Sequence, residues 1–86
     1  MPFPTDAPEK IRDKLDRGVL PREAPGKMYA GFGQGHPCDG CDQPIAPTQV
    51  EYELDSSEGR SIRLHLGCAG LWEAERRRRG WTRPTG

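Results

Sequence analysis

Hydrophobic residues are scarce in this chain. They fill 33% of its 86 positions, against roughly 45% or more in ordinary globular domains, so the core must be small and something besides apolar burial should hold it together. Long apolar runs are missing too: nothing approaches the ~18 consecutive apolar residues that span a bilayer. The opening MPFPTDAPEK has neither the basic start nor the apolar run of a signal peptide. These absences lead to the expectation of a cytosolic (cytoplasmic) protein with no membrane contact. A fourth cysteine is also lacking. Three cysteines leave one unpaired, and a reducing compartment works against disulfides in any case, so metal binding becomes their leading use.

Net charge is zero, but the charges are unevenly spread. Residues 36–75 carry two basic and eight acidic groups, whereas residues 76–86 carry five basic and no acidic ones. The middle of the chain is acidic and its tail basic.

What the chain has in abundance is turn-forming residues, eleven glycines and nine prolines, and their placement divides it. Residues 1–8 hold three prolines and are expected to be disordered. Residues 9–20 read as a short helix, with Asp6 or Thr5 as cap, Pro8 in the first turn and Ile11 and Leu15 on one face. Gly18 is its expected end, with Val19 and Leu20 folding back. Such a helix is too short to persist unless that face docks. Residues 21–35 read as a Pro/Gly-rich connector whose Met28, Tyr29 and Phe32 could pin it to the domain.

Residues 36–80 form the expected domain. In TQVEYEL, Val50, Tyr52 and Leu54 alternate with Gln49, Glu51 and Glu53, and RSIRLHL continues the alternation with Ile62, Leu64 and Leu66, which predicts a β-hairpin around the turn DSSEG. Arg60 and Arg63 would face Glu51 and Glu53 across it. From about Gly67 the spacing of Cys68, Leu71, Trp72 and Glu75 turns helical, and Gly80 ends the helix. Residues 81–86 are left as a C-terminal tail.

Two half-sites carry the chemistry. Cys38-x-x-Cys41 is separated by 23 residues from His65-x-x-Cys68. Zinc takes four nitrogen or sulfur donors in a tetrahedron, and a Cys-x-x-Cys turn converges two thiolates on one point. A strand end bearing His65 and a helix start bearing Cys68 can supply the other two. The expected site is one structural Zn²⁺ on Cys38, Cys41, His65 and Cys68, closed to water and substrate. His36, two residues before Cys38, is a possible competitor. GFGQG lacks the following helix and the Lys-Ser/Thr pair of a phosphate loop, and CDGC lacks a thioredoxin-like context and would leave His-x-x-Cys idle.

The order knuckle, hairpin, helix-borne second pair resembles the treble-clef or zinc-ribbon class of zinc fingers over about residues 35–79, and CDGC…HLGC is similar to the first half-site of a LIM domain. The resemblance implies a small α+β zinc-stabilised domain, ligand roles for Cys38, Cys41, His65 and Cys68, and a tight turn permitted by Gly40. It leaves function open, since such modules bind proteins, bind nucleic acids or belong to enzymes. The expectation is a non-enzymatic protein-binding or regulatory adaptor with no small-molecule substrate. Its partner would meet Arg76, Arg77, Arg78, Arg79 and Trp81, together with Met28, Tyr29 and Phe32. The alternatives are a nucleic-acid-binding finger using those arginines, and a redox or metal-handling accessory. Against the former, Glu73 and Glu75 could simply neutralise the basic helix end, and the acidic middle would repel phosphates.

Overall fold

The computed structural model describes residues 6–23, 27–55 and 59–81. Two helices, α1 (Ala7–Asp16) and α2 (Leu66–Arg78), accompany three strands, β1 (Lys27–Phe32), β2 (Val50–Asp55) and β3 (Ser61–His65). The strands form one antiparallel sheet in the order β1-β2-β3. The result is a small α+β unit.

The hairpin forms where alternation places it. Tyr52 pairs with Leu64 and Leu54 with Ile62, so one face of the sheet carries the apolar set, and Leu54, Ile62 and Leu64 are buried. Its tip, within the expected DSSEG turn, lies outside the described residues. Leu66 does not continue the buried face. The strand ends at His65 and the helix starts at Leu66, so the period changes there and Leu66 is exposed. Arg63 lies 4.0 Å from both Glu51, whose carboxylate is largely buried, and the part-exposed Glu53, and at that separation the exposed pair contributes little.

The connector expected over residues 21–35 holds a strand instead. Lys27 pairs with Asp55 and Phe32 with Val50, so β1 is a third, edge strand. KMYAGF hides this because Gly31 interrupts an already short alternation and prolines and glycines crowd both sides of it. Its side chains do not pin it inward: every residue of β1 is exposed. Of the expected disordered start, residues 1–5 lie outside the described residues; Ala7 and Pro8 belong to α1, with Ala7 fully buried.

Both helices stop in the same way. In α1 the Val19 N–H reaches the Lys14 carbonyl and the Gly18 N–H that of Leu15, with Gly18 at φ 75°. In α2 the Trp81 N–H reaches Arg76 and the Gly80 N–H reaches Arg77, with Gly80 at φ 76°. These are paired Schellman closures, in which glycine takes the left-handed conformation without a Cβ penalty. Each returns a large apolar side chain to the body, Leu20 into the core and Trp81 against its margin.

One core serves both helices, the hairpin and the cysteine loop: Ile11 and Leu15 from α1, Leu20, Ile45, the hairpin leucines and Ile62, Trp72 from α2, and all three cysteines. Polar contacts lock the helices over it. Trp72 Nε1 donates to the Pro21 carbonyl at 2.9 Å, Arg76 Nε to that of Arg22 at 2.8 Å, and Arg79 pairs with Asp16 at 2.6 Å.

The two glycines of GFG serve different ends. A Cβ on Gly33 would overlap the carbonyl oxygens of Ile45 and Ala46 and the Ile45 side chain, whereas one on Gly31 would meet nothing. Gly33→Ala should therefore cost about 2–4 kcal/mol, because backbone rather than a flexible side chain must give way. Gly31→Ala should be neutral or gain up to about 1 kcal/mol by restricting the unfolded chain. Paired urea titrations measure both; equal effects would remove the close approach at Gly33 as a constraint on this fold.

Candidate metal centre

Residues 37–44 form a tight loop closed by a bridge between Pro37 and Pro44. Inside it the Cys38 N–H donates to the Gln43 carbonyl at 2.8 Å and the Asp42 N–H to the Cys38 carbonyl at 2.9 Å, with Asp42 at φ 70°. This winding turns Cys38 and Cys41 the same way. Gly40 sits between them, where an added Cβ would lie 3.2 Å from Cys68 Cβ and from Leu64 and 3.3 Å from Ile11. Its bareness lets the loop settle at once against α2, β3 and α1.

The loop then docks on the outer edge of β3. The Asp39 N–H donates to the Arg63 carbonyl at 2.7 Å, and the Arg63 N–H donates back to Asp39 Oδ2 at 2.8 Å. One step along, the His65 N–H donates to Cys38 Sγ at 3.4 Å. The loop thus satisfies main-chain groups that a strand edge would otherwise leave open. Cys68 reaches the same point from the first turn of α2.

The donor atoms of Cys38, Cys41, His65 and Cys68 all lie within 4.8 Å of one another, and all four residues are buried. Among the described residues this is the group of Cys and His side chains that could hold a metal ion. Bond lengths of 2.3 Å to sulfur and ~2.05 Å to nitrogen, arranged tetrahedrally, put neighbouring S and N donors about 3.6 Å apart. His65 Nδ1 lies 3.4 Å from Cys41 Sγ and 4.0 Å from Cys68 Sγ, which brackets that separation. The donor set fits one zinc.

The imidazole is oriented for the task. His65 Nε2 lies 3.1 Å from the Pro44 carbonyl. A carbonyl only accepts, so Nε2 carries the proton and the lone pair is on Nδ1, facing the sulfurs. Before a metal enters, the thiols are unequal. The Cys68 thiol donating to Cys38, aided by main-chain N–H groups of Cys41, His65 and Gly40, outweighs burial and brings Cys38 down to about 4. Cys68 is pushed up, first by that same bond and then by burial. Burial pushes Cys41 up as well, with the Cys38 charge adding to it.

Contacts that sequence reasoning missed reach the loop from α1. Lys10 Nζ donates to the Cys41 carbonyl at 3.1 Å and Lys14 Nζ to the Asp39 carbonyl at 2.9 Å, while Lys14 also pairs with Asp42. The i, i+4 spacing of the two lysines beside Ile11 and Leu15 was the available signal, but nothing in it points to the cysteine loop. His36 is exposed and stands outside the four-donor group.

The other anticipated contact residues do not form one open surface. Arg76 is buried, 4.5 Å from the Trp72 ring centroid. Arg77 pairs with Glu73 at 2.9 Å, and Arg78 and Arg79 both pair with Glu75, at 2.5 and 2.7 Å. Hydrogen bonds from Arg78 and Arg79 hold the Glu75 carboxyl down to about 2. Trp81 is half-buried, with the Arg22 and Arg79 guanidinium groups 4.9 and 5.0 Å from its ring.

No protein-family model, curated protein or solved structure matches the chain. The donor geometry itself carries the chemical conclusion that the chain holds a possible site for a single metal ion.

Because zinc is held by thiolates and not by thiols, loading the site should displace protons from the cysteines. Affinity should then fall as the pH is lowered through neutrality. Calorimetric titration in buffers of different ionisation enthalpy counts the protons; a value near zero would be incompatible with thiolate ligation.

Proposed function

We propose that this chain is a structural zinc-binding module of treble-clef-like construction that acts as a non-enzymatic, protein-binding adaptor in the cytoplasm. The observation that carries the reading is the closed donor set. Three sulfurs and one imidazole nitrogen converge, all buried, and four such donors complete a tetrahedron with no position left for water or substrate. An ion held in that way supports a fold and does not activate a reactant.

The order of parts supports the class: a cysteine loop, a hairpin whose second strand ends in the third donor, and a helix whose first turn bears the fourth. The position of the ion supports a structural role. The cysteines are members of the only core the described residues contain, in contact with both helices and the sheet. For a domain with so few apolar side chains, the metal–ligand bonds supply stabilisation that hydrophobic burial does not.

A protein partner is favoured over nucleic acid by the state of the arginines. Phosphate binding draws on cations free to release counterions, but Arg76 lies on Trp72 and the next three are engaged by Glu73, Glu75 and Asp16. Exposed apolar side chains, by contrast, gather on β1, where Met28, Tyr29 and Phe32 are each more than half accessible. Apolar surface of this kind suits a protein contact.

The chain purified from zinc-supplemented cells should carry one zinc by native mass spectrometry. Replacement by Co²⁺ should give the thiolate charge-transfer and tetrahedral ligand-field bands of a three-sulfur, one-nitrogen site. Chelation should unfold the chain cooperatively, and Cys68→Ser should weaken binding by at least about tenfold. A metal-free chain that stays folded and cycles a Cys38–Cys41 disulfide would instead make it a redox protein.

A further inference from the structure

The two edges of the sheet are treated differently. On the β3 side the cysteine loop takes up the main-chain groups of Arg63 and the His65 N–H. On the β1 side, among the described residues, nothing is paired with the strand beyond β2. The hydrogen-bond phase tells which groups are left open. The Gly33 N–H donates to the Gln49 carbonyl at 2.9 Å, and these residues continue the β1–β2 register. Bonded pairs recur every second residue in an antiparallel ladder. Lys27, Tyr29 and Gly31 therefore bond to β2, while the N–H and C=O groups of Met28, Ala30 and Phe32 point outward.

We propose that this open edge pairs with β1 of a second copy of the chain, giving a two-fold symmetric dimer with a continuous six-stranded sheet. The proposal names the partner for the binding role described above and rests on that reading for the zinc-loaded fold.

The segment is self-complementary about Ala30. Antiparallel pairing of two identical strands through their outward groups sets Ala30 opposite Ala30, and each Met28 opposite the Phe32 of the other copy. Both are bonded pairs, so every open main-chain group named above finds a partner. Met28 and Phe32 are exposed by 52% and 72% and match as a thioether against an aromatic ring. The same register lays Tyr29 of each copy across from Gly31 of the other, where an added Cβ meets nothing. An aromatic side chain over an edge glycine is a stabilising cross-strand arrangement.

The side-chain faces agree. Met28 lies opposite Leu54, and Ala30 opposite Tyr52, so the even-numbered residues of β1 extend the sheet face that is buried further in. Among the described residues that apolar face runs past the helices and is exposed at the strand a second copy would meet. Charge agrees as well. Lys27 is the single charged residue of β1, falls opposite the Gly33 of the other copy, and has no like charge facing it. It lies on the face where β2 carries Glu51, Glu53 and Asp55, and one Glu51 oxygen is buried with no hydrogen-bond partner among the described residues. The chain's zero net charge opposes no such approach.

Six residues a side are far fewer than the ~20–30 of a standard interface, so the dimer should be concentration-dependent. Sedimentation velocity of the zinc-loaded full chain from low micromolar to millimolar concentration should show a monomer–dimer equilibrium. Ala30→Pro removes the N–H at the two-fold axis without touching the β1–β2 ladder and should weaken association by at least about tenfold. Met28→Lys should do the same, while Met28→Lys combined with Phe32→Glu should restore it, because the register brings residue 28 of each copy against residue 32 of the other. Zinc content and chelator-induced unfolding are measured on every variant, so a failed fold is distinguished from a failed interface. A zinc-loaded chain that is monomeric at every concentration overturns the proposal and leaves the zinc module standing. A dimer indifferent to both single substitutions overturns it too, as does one that the double substitution does not rescue.

Discussion

Everything in this small structure turns on the seating of the cysteine loop against β3. Asp39 takes both main-chain groups of Arg63, and Cys38 takes the N–H of His65, so the bonds that fix the loop also aim its sulfur at the histidine. A strand slipped by one residue would turn His65 to the other face of the sheet and leave three donors without a fourth. Sheet register and metal geometry are therefore one constraint. Gly40 is part of it, since a side chain there would hold the loop off Cys68 and Leu64.

The same point explains why a ten-residue helix with little stability of its own is kept. Through Ile11 and Leu15, α1 closes the core beside the cysteines, and through Lys10 and Lys14 it brings two ammonium groups to carbonyls of the loop. With a divalent cation bound, three thiolates and one neutral imidazole would leave one net negative charge in a buried place. Two lysines hydrogen-bonded to the Cys41 and Asp39 carbonyls offset it at short range. Arg79 ties the far end of α1 to α2 by bonding both Asp16 and Glu75. Of the basic helix end, Arg76 and Arg79 are thus engaged within the molecule, whereas Arg77 and Arg78 pair with Glu73 and Glu75 at the surface.

The parts legible from sequence are those governed by local rules. The period-2 alternation of β2 and β3, the left-handed glycines at 18 and 80 and the paired spacing of the four donors each depend on a few neighbouring residues, and the structure agrees with them. What escaped reading depends on distant partners. Strand β1 has a weak pattern because its inner face is uncovered, so no selection for continuous apolar alternation is visible in KMYAGF. Leu66 carries the strand's alternation one residue too far because the helix captures its backbone. Arg76 looks like one member of a basic run, and only the placement of Trp72 and of the Arg22 carbonyl buries it. Gly33 and Gly31 are indistinguishable as letters, yet one is pressed against the backbone of residues 45–46 and the other faces open space.

The asymmetry between the two sheet edges follows from how the chain solves its shortage of apolar residues. Helices can cover only as much sheet as there are large side chains to pack beneath them, and here α2, with Trp72 in the core, lies against the hairpin while α1 packs on α2. The cysteine loop, which needs main-chain anchors of its own, occupies the β3 edge. A third strand is then added on the side where, among the described residues, neither helix nor loop shields it. Its side chains are apolar although exposed, and its single charge is at one end. Natural sheets that must stay alone place charges, prolines or bulges along such an edge, and β1 has a regular register over all six residues. A strand with that composition in that position is stable in water only in part. Its open amides and its uncovered apolar face are both satisfied by one further strand, and the symmetry of Met28, Ala30 and Phe32 makes an identical strand a fitting one.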